Sequence, residues 1–323
     1  MLWYEEKCTA DDVFVSTRVR LARNLTDYPF EPILCETGAK EIIEKVRGAL
    51  KGYASEIPIT PALTEKRIIS REFARKTTPK ALFKSSDGVY TMVCEEDHLR
   101  VQCIRRGLDL TAALEGALRC EEKIDAKLKI AFDEKLGYLT HCPTNLGTAM
   151  RASVMMFLPA LTAFGGIKNL ASQLSKVGIT VRGEGGEGSD VRGCLYQISN
   201  SVSLGESEEG IIEKLEKCVC TVAEREREAR QKLLMREGDK LRDRILRSLG
   251  IVRYAVLIDS AELYRIYTDL RLGAALGICD IDISALDLAL IMLSPNTLCE
   301  VAGRNLTESE RDKIRAEEIK KYL

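Results

Sequence analysis

Apolar and polar residues alternate along several short stretches in the first two thirds of the chain, which is the pattern of half-buried β-strands. The predicted strands cover residues 13–19, 67–70, 89–94, 99–104, 153–158, 177–182 and 194–201. Apolar residues recur at helical spacing over residues 36–53, 110–132 and 167–176, which are the predicted helices. Hairpin-like strands with helices inserted predict an α+β fold, in which an antiparallel sheet carries its helices on one side.

The last third of the chain has helical patterning and no predicted strand. Residues 207–247 are helix-forming almost throughout, and their charge run at residues 224–228 (ERERE) is typical of a solvated helix face. Gly250 is predicted to end this segment. Further helices are predicted at residues 261–276, 284–293 and 308–323. The pattern predicts two domains, a sheet-containing one over residues 10–248 and an all-helical C-terminal one over residues 250–323.

Composition narrows the class of protein. The chain has 323 residues, of which 45% are hydrophobic and 30% charged, and 48 basic against 49 acidic residues leave a net charge of -1. This balance argues against a protein that coats nucleic acid or an anionic membrane. Residues 1–6 lack the pattern of a signal peptide, and residues 284–293 are too short to span a bilayer. Without a secretory signal, the 11 cysteines are expected to be reduced thiols in a cytoplasm. No Cys-x-x-Cys pair occurs, and Cys218 and Cys220 are too close together to suggest a zinc site.

Arginines at strand ends suggest the chemistry of the chain. Arg18 and Arg20 lie two apart on one predicted strand, hence on one face, and the others are Arg100, Arg151 and Arg182. Five cations brought together repel one another unless a polyanion offsets them, and a triphosphate is the obvious candidate. The paired carboxylates Glu95 and Glu96 suit a cation instead. A site with both kinds of group suggests phosphoryl transfer to a positively charged acceptor.

Two motifs invite other interpretations. Residues 183–188 (GEGGEG) have the form G-x-G-x-x-G, but a predicted strand follows where a dinucleotide site needs a helix. A flexible glycine loop that brings Glu187 to a ligand fits better. His141 beside Cys142 suggests a cysteine nucleophile, but neighbours on an extended chain point to opposite faces and cannot form a dyad. His98 and His141 are expected to be packed or surface imidazoles.

Five segments match, in order, the motifs of the ATP:guanido phosphotransferase (phosphagen kinase) family. They are residues 16–20 (STRVR), 95–100 (EEDHLR), 142–148 (CPTNLGT), 151–154 (RASV) and 181–183 with Glu187 (VRG…E). The chain resembles this family over roughly residues 10–250, and within it most resembles the bacterial protein-arginine kinases of the McsB type. The closer resemblance is carried by residues 21–24 (LARN), 155–156 (MM), 158–161 (LPAL) and 196–200 (YQISN).

The resemblance implies a role for each site residue. Glu96 is the general base that takes a proton from the acceptor guanidinium, which is protonated at neutral pH in the free side chain. Glu187 and Glu95 bind the guanidino group with it, and Cys142 lies beside that group without forming a covalent intermediate. The ATP phosphates are bound by Ser16 and the five arginines, Arg18, Arg20, Arg100, Arg151 and Arg182. Mg²⁺ is held through the nucleotide, so no protein ligand is expected for it.

Two regions bear on the acceptor and its regulation. Only fifteen residues precede Ser16, so the helical lid domain of the metabolic kinases is expected to be missing, and a site without it admits an arginine that belongs to a protein. Residues 311–316 (RDKIRA) resemble the element that binds phosphoarginine as an allosteric signal in the protein-arginine kinases. On a helix Arg311, Asp312 and Arg315 share a face, so an ordinary surface ion-pair network is the alternative.

The resemblance also implies partners. Proteins with exposed arginines are the expected substrates, and a role in stress response implies a zinc-binding activator, a heat-shock repressor and a Clp-type unfoldase. A cytoplasmic homodimer is expected. Two alternatives stay open: a kinase of free arginine or another small guanidine, and a non-catalytic scaffold that binds phosphoarginine. Cys94 and Ala149 depart from the family pattern, which has asparagine and glycine there.

Overall fold

A computed structural model describes residues 3–6, 12–31, 33–184 and 192–323. Eight strands form one antiparallel sheet in the order β2-β3-β4-β5-β1-β8-β10-β9, and two short strands, β6 and β7, form a separate hairpin. The strands are β1 (Phe14–Arg23), β2 (Ala54–Glu56), β3 (Ala81–Ser85), β4 (Val89–Val93), β5 (Leu99–Arg106), β6 (Phe132–Asp133), β7 (Gly137–Tyr138), β8 (Met150–Phe157), β9 (Ile179–Gly183) and β10 (Leu195–Asn200).

Helices lie between the strands and dominate the described chain after β10. They are α1 (Glu36–Ala49), α2 (Ala62–Glu65), α3 (Arg71–Arg75), α4 (Leu110–Asp125), α5 (Pro159–Ala163), α6 (Ile167–Ser175), α7 (Glu208–Glu237), α8 (Asp239–Tyr254), α9 (Ser260–Ala275), α10 (Ile283–Met292), α11 (Pro295–Ala302) and α12 (Glu308–Glu318). The predicted α+β fold, with an antiparallel sheet beside helices and a helical C-terminal region, is confirmed.

The two faces of the sheet are covered differently. On one face α1, α4, α6 and α7 pack against alternate strand residues such as Val19, Val101 and Val154 to form the main core. On the other face a small cluster around Ile68 and Phe73 covers β3 and β4. The C-terminal helices cover the opposite end of that face, where the last apolar residues of β8 and the first residue of β10, Leu195, join a second core. Between these two covers the middle of the sheet stays open, and its polar residues face this gap.

Several predicted elements are wrong in ways that packing explains. Residues 67–70 form no strand, because Ile68 and Ile69 are buried in a turn after α2 and Ser70 caps α3. The helix predicted over 110–132 ends at Asp125. Gly250 does not end a helix but lies inside α8, where burial of flanking apolar residues outweighs the cost of about 1 kcal/mol for a helical glycine.

The charge run on α7 is also more than a solvated face. Glu226 is fully buried and accepts hydrogen bonds from the backbone N–H groups of Ala160 (3.0 Å) and Leu161 (2.9 Å) at the start of α5. Arg230, one turn later, donates to Glu226 at 2.8 Å. This pair therefore ties α7 to α5, and only the rest of the run is exposed as predicted.

The helical C-terminal region begins without a break in regular structure. Helix α8 continues through the predicted boundary at residues 248–250, so the division into two domains stays a prediction. Among the residues that the structure describes, no single helix is long and apolar enough to cross a membrane, and α10 and α11 reach that threshold only as a bent pair.

Candidate active site

Five arginines, the arginine cluster, share the open face of the sheet: Arg18, Arg20, Arg100, Arg151 and Arg182. Directly opposed residues of antiparallel strands have side chains on the same face. Arg20 of β1 is opposite Arg151 of β8 and Gln102 of β5, which is two residues from Arg100. Arg182 of β9 is opposite Gln197 of β10, whose side-chain oxygen accepts a hydrogen bond of 3.1 Å from Arg18. The strand register therefore places all five cations around one gap.

The cations of the cluster are close enough to disturb one another. Burial, together with the charges of Arg67, Arg151 and Arg100, lowers the pKa of Arg18 to about 10. Burial and the neighbouring arginines hold the pKa of Arg20 well below its ordinary value. The Nε of Arg20 is buried without a hydrogen-bond partner among the described residues. A site with surplus cations and an unused donor is built for an anion with several oxygens.

A sixth arginine, which the sequence analysis missed, reaches the same gap. Arg67 lines a small pocket with Ser16, Arg18, Ser153 and Gln197. Its Nη2 forms an ion pair with Glu184 at the end of β9, and its Nη1 is buried without a hydrogen-bond partner in the described ranges. Burial alone would lower the pKa of Arg67, but the Glu184 carboxylate raises it, so this arginine keeps its charge.

The paired carboxylates lie on the tight turn between β4 and β5. The buried carboxylate of Glu95 accepts hydrogen bonds from Ser70 (2.6 Å), Arg100 (2.6 Å) and the N–H of Glu96 (2.8 Å). Glu96 accepts one of 3.1 Å from Arg100, and its side chain is 40% exposed. Glu95 therefore orients Arg100, whereas the partly exposed carboxylate of Glu96 is accessible to an incoming cation. The direct role of Glu95 in substrate binding stays a prediction.

Backbone conformation shows why Cys94 and Ala149 stand at unusual positions. Cys94 begins the acidic turn with φ +59°, and Ala149 precedes β8 with φ +46°. Both values are in the left-handed region, which asparagine and glycine adopt at least cost. The two departures from the family pattern thus occur where the backbone is strained, yet the turn is closed by a hydrogen bond from Cys94 N to His98 O of 2.8 Å.

Asp97 connects the acidic turn to the loop that carries Cys142. One carboxylate oxygen of Asp97 accepts hydrogen bonds from Asn24 Nδ2 and from the backbone N–H of His141, both at 2.7 Å. Glu96 precedes Asp97 and Cys142 follows His141, so the Asp97–His141 bond brings the two predicted catalytic residues to the same edge of the gap. The Cys142 thiol lies 3.0 Å from the hydroxyl of Thr144. Apart from its place in the EEDHLR motif, no sequence pattern indicated this role of Asp97.

The loop after Cys142 depends on one glycine. Gly147 has φ +95°, and a Cβ there would lie 2.3 Å from the carbonyl oxygen of Ser203. Its N–H donates to Leu136 O at 2.8 Å, and its carbonyl accepts from Tyr138 N at 2.9 Å. The loop is thus packed between the β6–β7 hairpin and the segment after β10, because only glycine permits the close approach.

The contacts described above do not include Glu187 or a metal ion. Glu187 falls outside the described residues, so its predicted role as a clamp for the guanidino group stays a prediction. Within the described ranges, no group of three or more His, Cys, Asp or Glu side chains could hold a metal ion. The nearest described residue to the glycine loop on its β9 side is Glu184, which pairs with Arg67.

The RDKIRA element lies on α12, away from the arginine cluster. Arg315 is fully buried and donates to Asp312 (2.7 Å) and to the carbonyl oxygens of Ile258 (2.6 Å) and Leu293 (3.1 Å). Arg311 donates to the carbonyl of Leu306 at 2.9 Å. The Asp312–Arg315 pair therefore exists but stabilises packing, and the role of the element in binding phosphoarginine stays a prediction.

His98, behind the acidic turn, gives the fold a measurable pH dependence. It is fully buried; its Nδ1 accepts from Leu25 N at 3.0 Å and its Nε2 lies 3.1 Å from Pro29 O. Burial lowers the pKa of His98 below its ordinary 6.5. Below about pH 6.5 the imidazole is protonated in the unfolded chain but stays neutral in the folded chain. The free energy of unfolding should therefore fall by about 1 kcal/mol when the pH is lowered from 7.5 to 5.5.

Urea unfolding at the two pH values measures this difference. A His98→Gln variant, whose amide can both accept and donate a hydrogen bond, should lose most of this pH difference in the free energy of unfolding. His141→Gln is the matched control, because His141 is the only other histidine in the sequence and is exposed. This variant should keep the full pH difference in the free energy of unfolding. An unchanged pH dependence in the His98→Gln variant would contradict the assignment.

The fold and the open cationic face define a class of protein, one with an antiparallel sheet that presents clustered arginines beside a pair of carboxylates. Two family models match the chain: the ATP:guanido phosphotransferase C-terminal catalytic domain over residues 58–229, and the protein-arginine kinase McsB C-terminal domain over residues 238–323. The chain therefore belongs to the ATP:guanido phosphotransferase family, in its McsB-type protein-arginine kinase branch.

Relatives agree with the family models over the whole chain. A protein-arginine kinase of Caldanaerobacter subterraneus subsp. tengcongensis is 40% identical, and the match covers 100% of this chain and 99% of the relative. One of Symbiobacterium thermophilum is 39% identical over 99% of this chain and 96% of the relative. The solved duplicated taurocyamine kinase of Schistosoma mansoni, with bound transition-state analogue components, superposes with a TM-score of 0.58 at 27% identity over 69% of this chain and 35% of that one.

Proposed function

We propose that the protein transfers the γ-phosphoryl group of ATP to the guanidino group of arginine side chains in proteins. The single observation that carries this proposal is the open face on which five strand arginines and Arg67 surround one gap, with Glu96 at its edge. Relatives that match this chain over nearly its full length and are named protein-arginine kinases support the choice of acceptor.

The charges of the face support the nucleotide half of the reaction. The arginine cluster and Arg67 bind the phosphates and neutralise the charge that spreads over the transferring group, which is where most catalysis of phosphoryl transfer originates. Because these cations are held by strands and by the Glu95–Arg100 ion pair, they need little reorganisation when the nucleotide binds. Ser16 lines the same pocket and adds a hydroxyl donor.

The edge of the face supports the acceptor half. The acceptor guanidinium must lose a proton before its nitrogen can attack phosphorus, and the exposed carboxylate of Glu96 takes that proton as the N–P bond forms and the bond from phosphorus to the bridging oxygen of ADP breaks. Cys142, held near Glu96 by the Asp97–His141 hydrogen bond, lies beside the guanidino group and forms no bond to it. Glu187 acts as the second carboxylate around the guanidino group.

Mg²⁺ belongs to the proposal as a companion of the nucleotide. The ion would be held by phosphate oxygens and water, which are the oxygen ligands that Mg²⁺ prefers. When bound it would neutralise part of the phosphate charge.

The choice between protein-bound and free arginine is tested by comparing acceptors at equal arginine concentration. We expect acid-labile label from [γ-³²P]ATP to appear on an unfolded arginine-rich protein at least about tenfold faster than on free L-arginine. The same protein with its arginines replaced by lysine is the control and should stay unlabelled. Faster labelling of free arginine would favour a small-guanidine kinase, and no labelling of either acceptor would favour a phosphoarginine-binding scaffold.

Regulation and partners extend the proposal. The chain acts in the cytoplasm as a homodimer in stress response, marking proteins for a Clp-type unfoldase and acting on a heat-shock repressor, with a zinc-binding activator. The RDKIRA element on α12 binds phosphoarginine through Arg311, Asp312 and Arg315 as an allosteric signal. Because Arg315 bonds to internal carbonyls, such binding requires that at least some of these bonds rearrange.

A further inference from the structure

Three consecutive residues, Glu65, Lys66 and Arg67, lie between helix α11 of the C-terminal region and the nucleotide pocket; we call them the bridge segment. Glu65 and Lys66 bind α11, whereas Arg67 lines the pocket with Ser16 and Arg18. The C-terminal helices and the arginine cluster are therefore connected through three adjacent peptide units.

Glu65 caps a helix that is 231 positions away in the sequence. One of its carboxylate oxygens accepts from the backbone N–H (3.0 Å) and side-chain amide (2.8 Å) of Asn296, and the other from the N–H (2.9 Å) and hydroxyl (3.2 Å) of Thr297. The first residues of a helix carry unpaired N–H groups and a partial positive charge, so a carboxylate is the preferred partner there.

The residue at the N-cap of α11 does not cap the helix with its own side chain, so Glu65 provides the cap. Ser294 stands at the N-cap position, but its hydroxyl makes no cap hydrogen bond and donates instead to Leu290 O at 2.8 Å. Thr297 is fully buried, so its N–H and hydroxyl depend on a protein partner. The contact is thus specific, and it fixes both the first turn of α11 and the side chain of Glu65.

Lys66 and Arg67 connect the Glu65 contact with α11 to the nucleotide pocket. Lys66 pairs with Glu300 of α11 at 2.8 Å, and its carbonyl oxygen accepts from Trp3 Nε1 at 2.8 Å. Arg67 has φ +59°, a left-handed conformation that an arginine keeps only when its surroundings impose it. Residues on both sides are fixed, so the left-handed turn sets the direction in which the Arg67 side chain leaves the backbone.

We propose that Glu65 is a positioning residue, which holds the bridge segment so that the guanidinium of Arg67 stays in the nucleotide pocket and contacts the phosphates of ATP. The inference rests on the proposed function, since it requires that the pocket bind ATP. Its consequence is that α11, which contributes no side chain to the pocket, is coupled to nucleotide affinity. Arg67 is the side chain through which that coupling reaches the nucleotide.

The coupling is tested from both sides of the contact in the full-length chain, with the ATP Kd measured by isothermal titration calorimetry. Glu65→Gln should weaken ATP binding by about three- to fivefold, and Arg67→Ala by about tenfold, the loss of one charge-assisted hydrogen bond. Asn296→Ala with Thr297→Val removes the same contact from the α11 side and should weaken ATP binding in the same direction. Glu72→Gln, exposed on α3, and Val301→Ala, exposed on α11, are the matched controls and should bind ATP like the wild type.

A double-mutant cycle separates positioning from general loss of structure. If Glu65 acts through Arg67, adding Glu65→Gln to Arg67→Ala should not weaken ATP binding further. Additive losses, or wild-type affinity in the Glu65→Gln and α11 variants, would overturn the inference. Circular dichroism confirms folding, and if Glu65→Gln does not fold, the α11 variants carry the same cycle. Absence of ATP binding by the wild type would instead overturn the proposed function, so the two failures are distinguishable.

Discussion

A Glu96→Gln variant is expected to lose about 10²- to 10⁴-fold in kcat, the usual contribution of a positioned general base. The amide keeps the shape of the side chain but cannot take the proton of the acceptor guanidinium. ATP affinity should stay within about twofold, because Arg100 keeps its stronger ion pair with Glu95 at 2.6 Å. The rate of label transfer from [γ-³²P]ATP to protein arginines measures kcat, and calorimetry measures the ATP Kd.

The matched control is Glu122→Gln, an exposed carboxylate on α4 away from the open face. It should retain the wild-type rate. A Glu96→Gln variant that kept full kcat would remove Glu96 from the role of base. A variant that lost ATP binding to the same extent as kcat would mean that Glu96 acts by holding Arg100.

Replacing Arg20 by methionine is expected to change stability and binding in opposite directions. Arg20 is repelled by Arg18, Arg100 and Arg151, and its Nε has no hydrogen-bond partner within the described part of the chain. An apolar side chain of similar length should therefore raise the free energy of unfolding by about 1–3 kcal/mol without nucleotide, the range found when poorly compensated buried charges are replaced. It should also weaken ATP binding by about 10- to 100-fold, the value of a hydrogen bond from a charged donor.

Urea unfolding and calorimetry on the same variant measure the two effects. Arg242→Met, an exposed arginine on α8, is the control and should change neither by much. If Arg20→Met were destabilised, the arginines would be compensated within the protein, and the argument for a bound polyanion would fail. Such opposite changes are expected where a site is built for its ligand at the expense of stability.

Only part of the arginine cluster could be predicted from local strand geometry. Arg18 and Arg20 share a face by their spacing of two residues. Arg100 and Arg151 lie beside them because β1 pairs with β5 and β8, which are distant in the sequence, and the hairpin pattern does not predict these pairings. The acidic turn could also be predicted, because the two strands around it alternate. The Arg18–Arg20 pair and the acidic turn each follow from a short stretch of chain.

Arg67 could not be found in this way. Its apolar neighbours Ile68 and Ile69 suggested a strand, whereas they pack as a turn beneath α2 and α3, and the direction of the Arg67 side chain follows from a left-handed residue between two fixed contacts. The role of Glu65 depends on residues 231 positions away, which no local pattern reports. Tertiary contacts of this kind also explain why Glu226, inside a charge run, is buried.

The open face is expected to bind the phosphate tail of a nucleotide, and thermal unfolding with a series of nucleotides is the sharpest test of this binding. Ligand that binds only the folded state stabilises it in proportion to the logarithm of its concentration over Kd. We predict that saturating ATP raises the Tm by several degrees, ADP by less and AMP hardly at all, and that Arg20→Met removes these differences. Equal shifts with AMP and ATP, or none with ATP, would contradict the account.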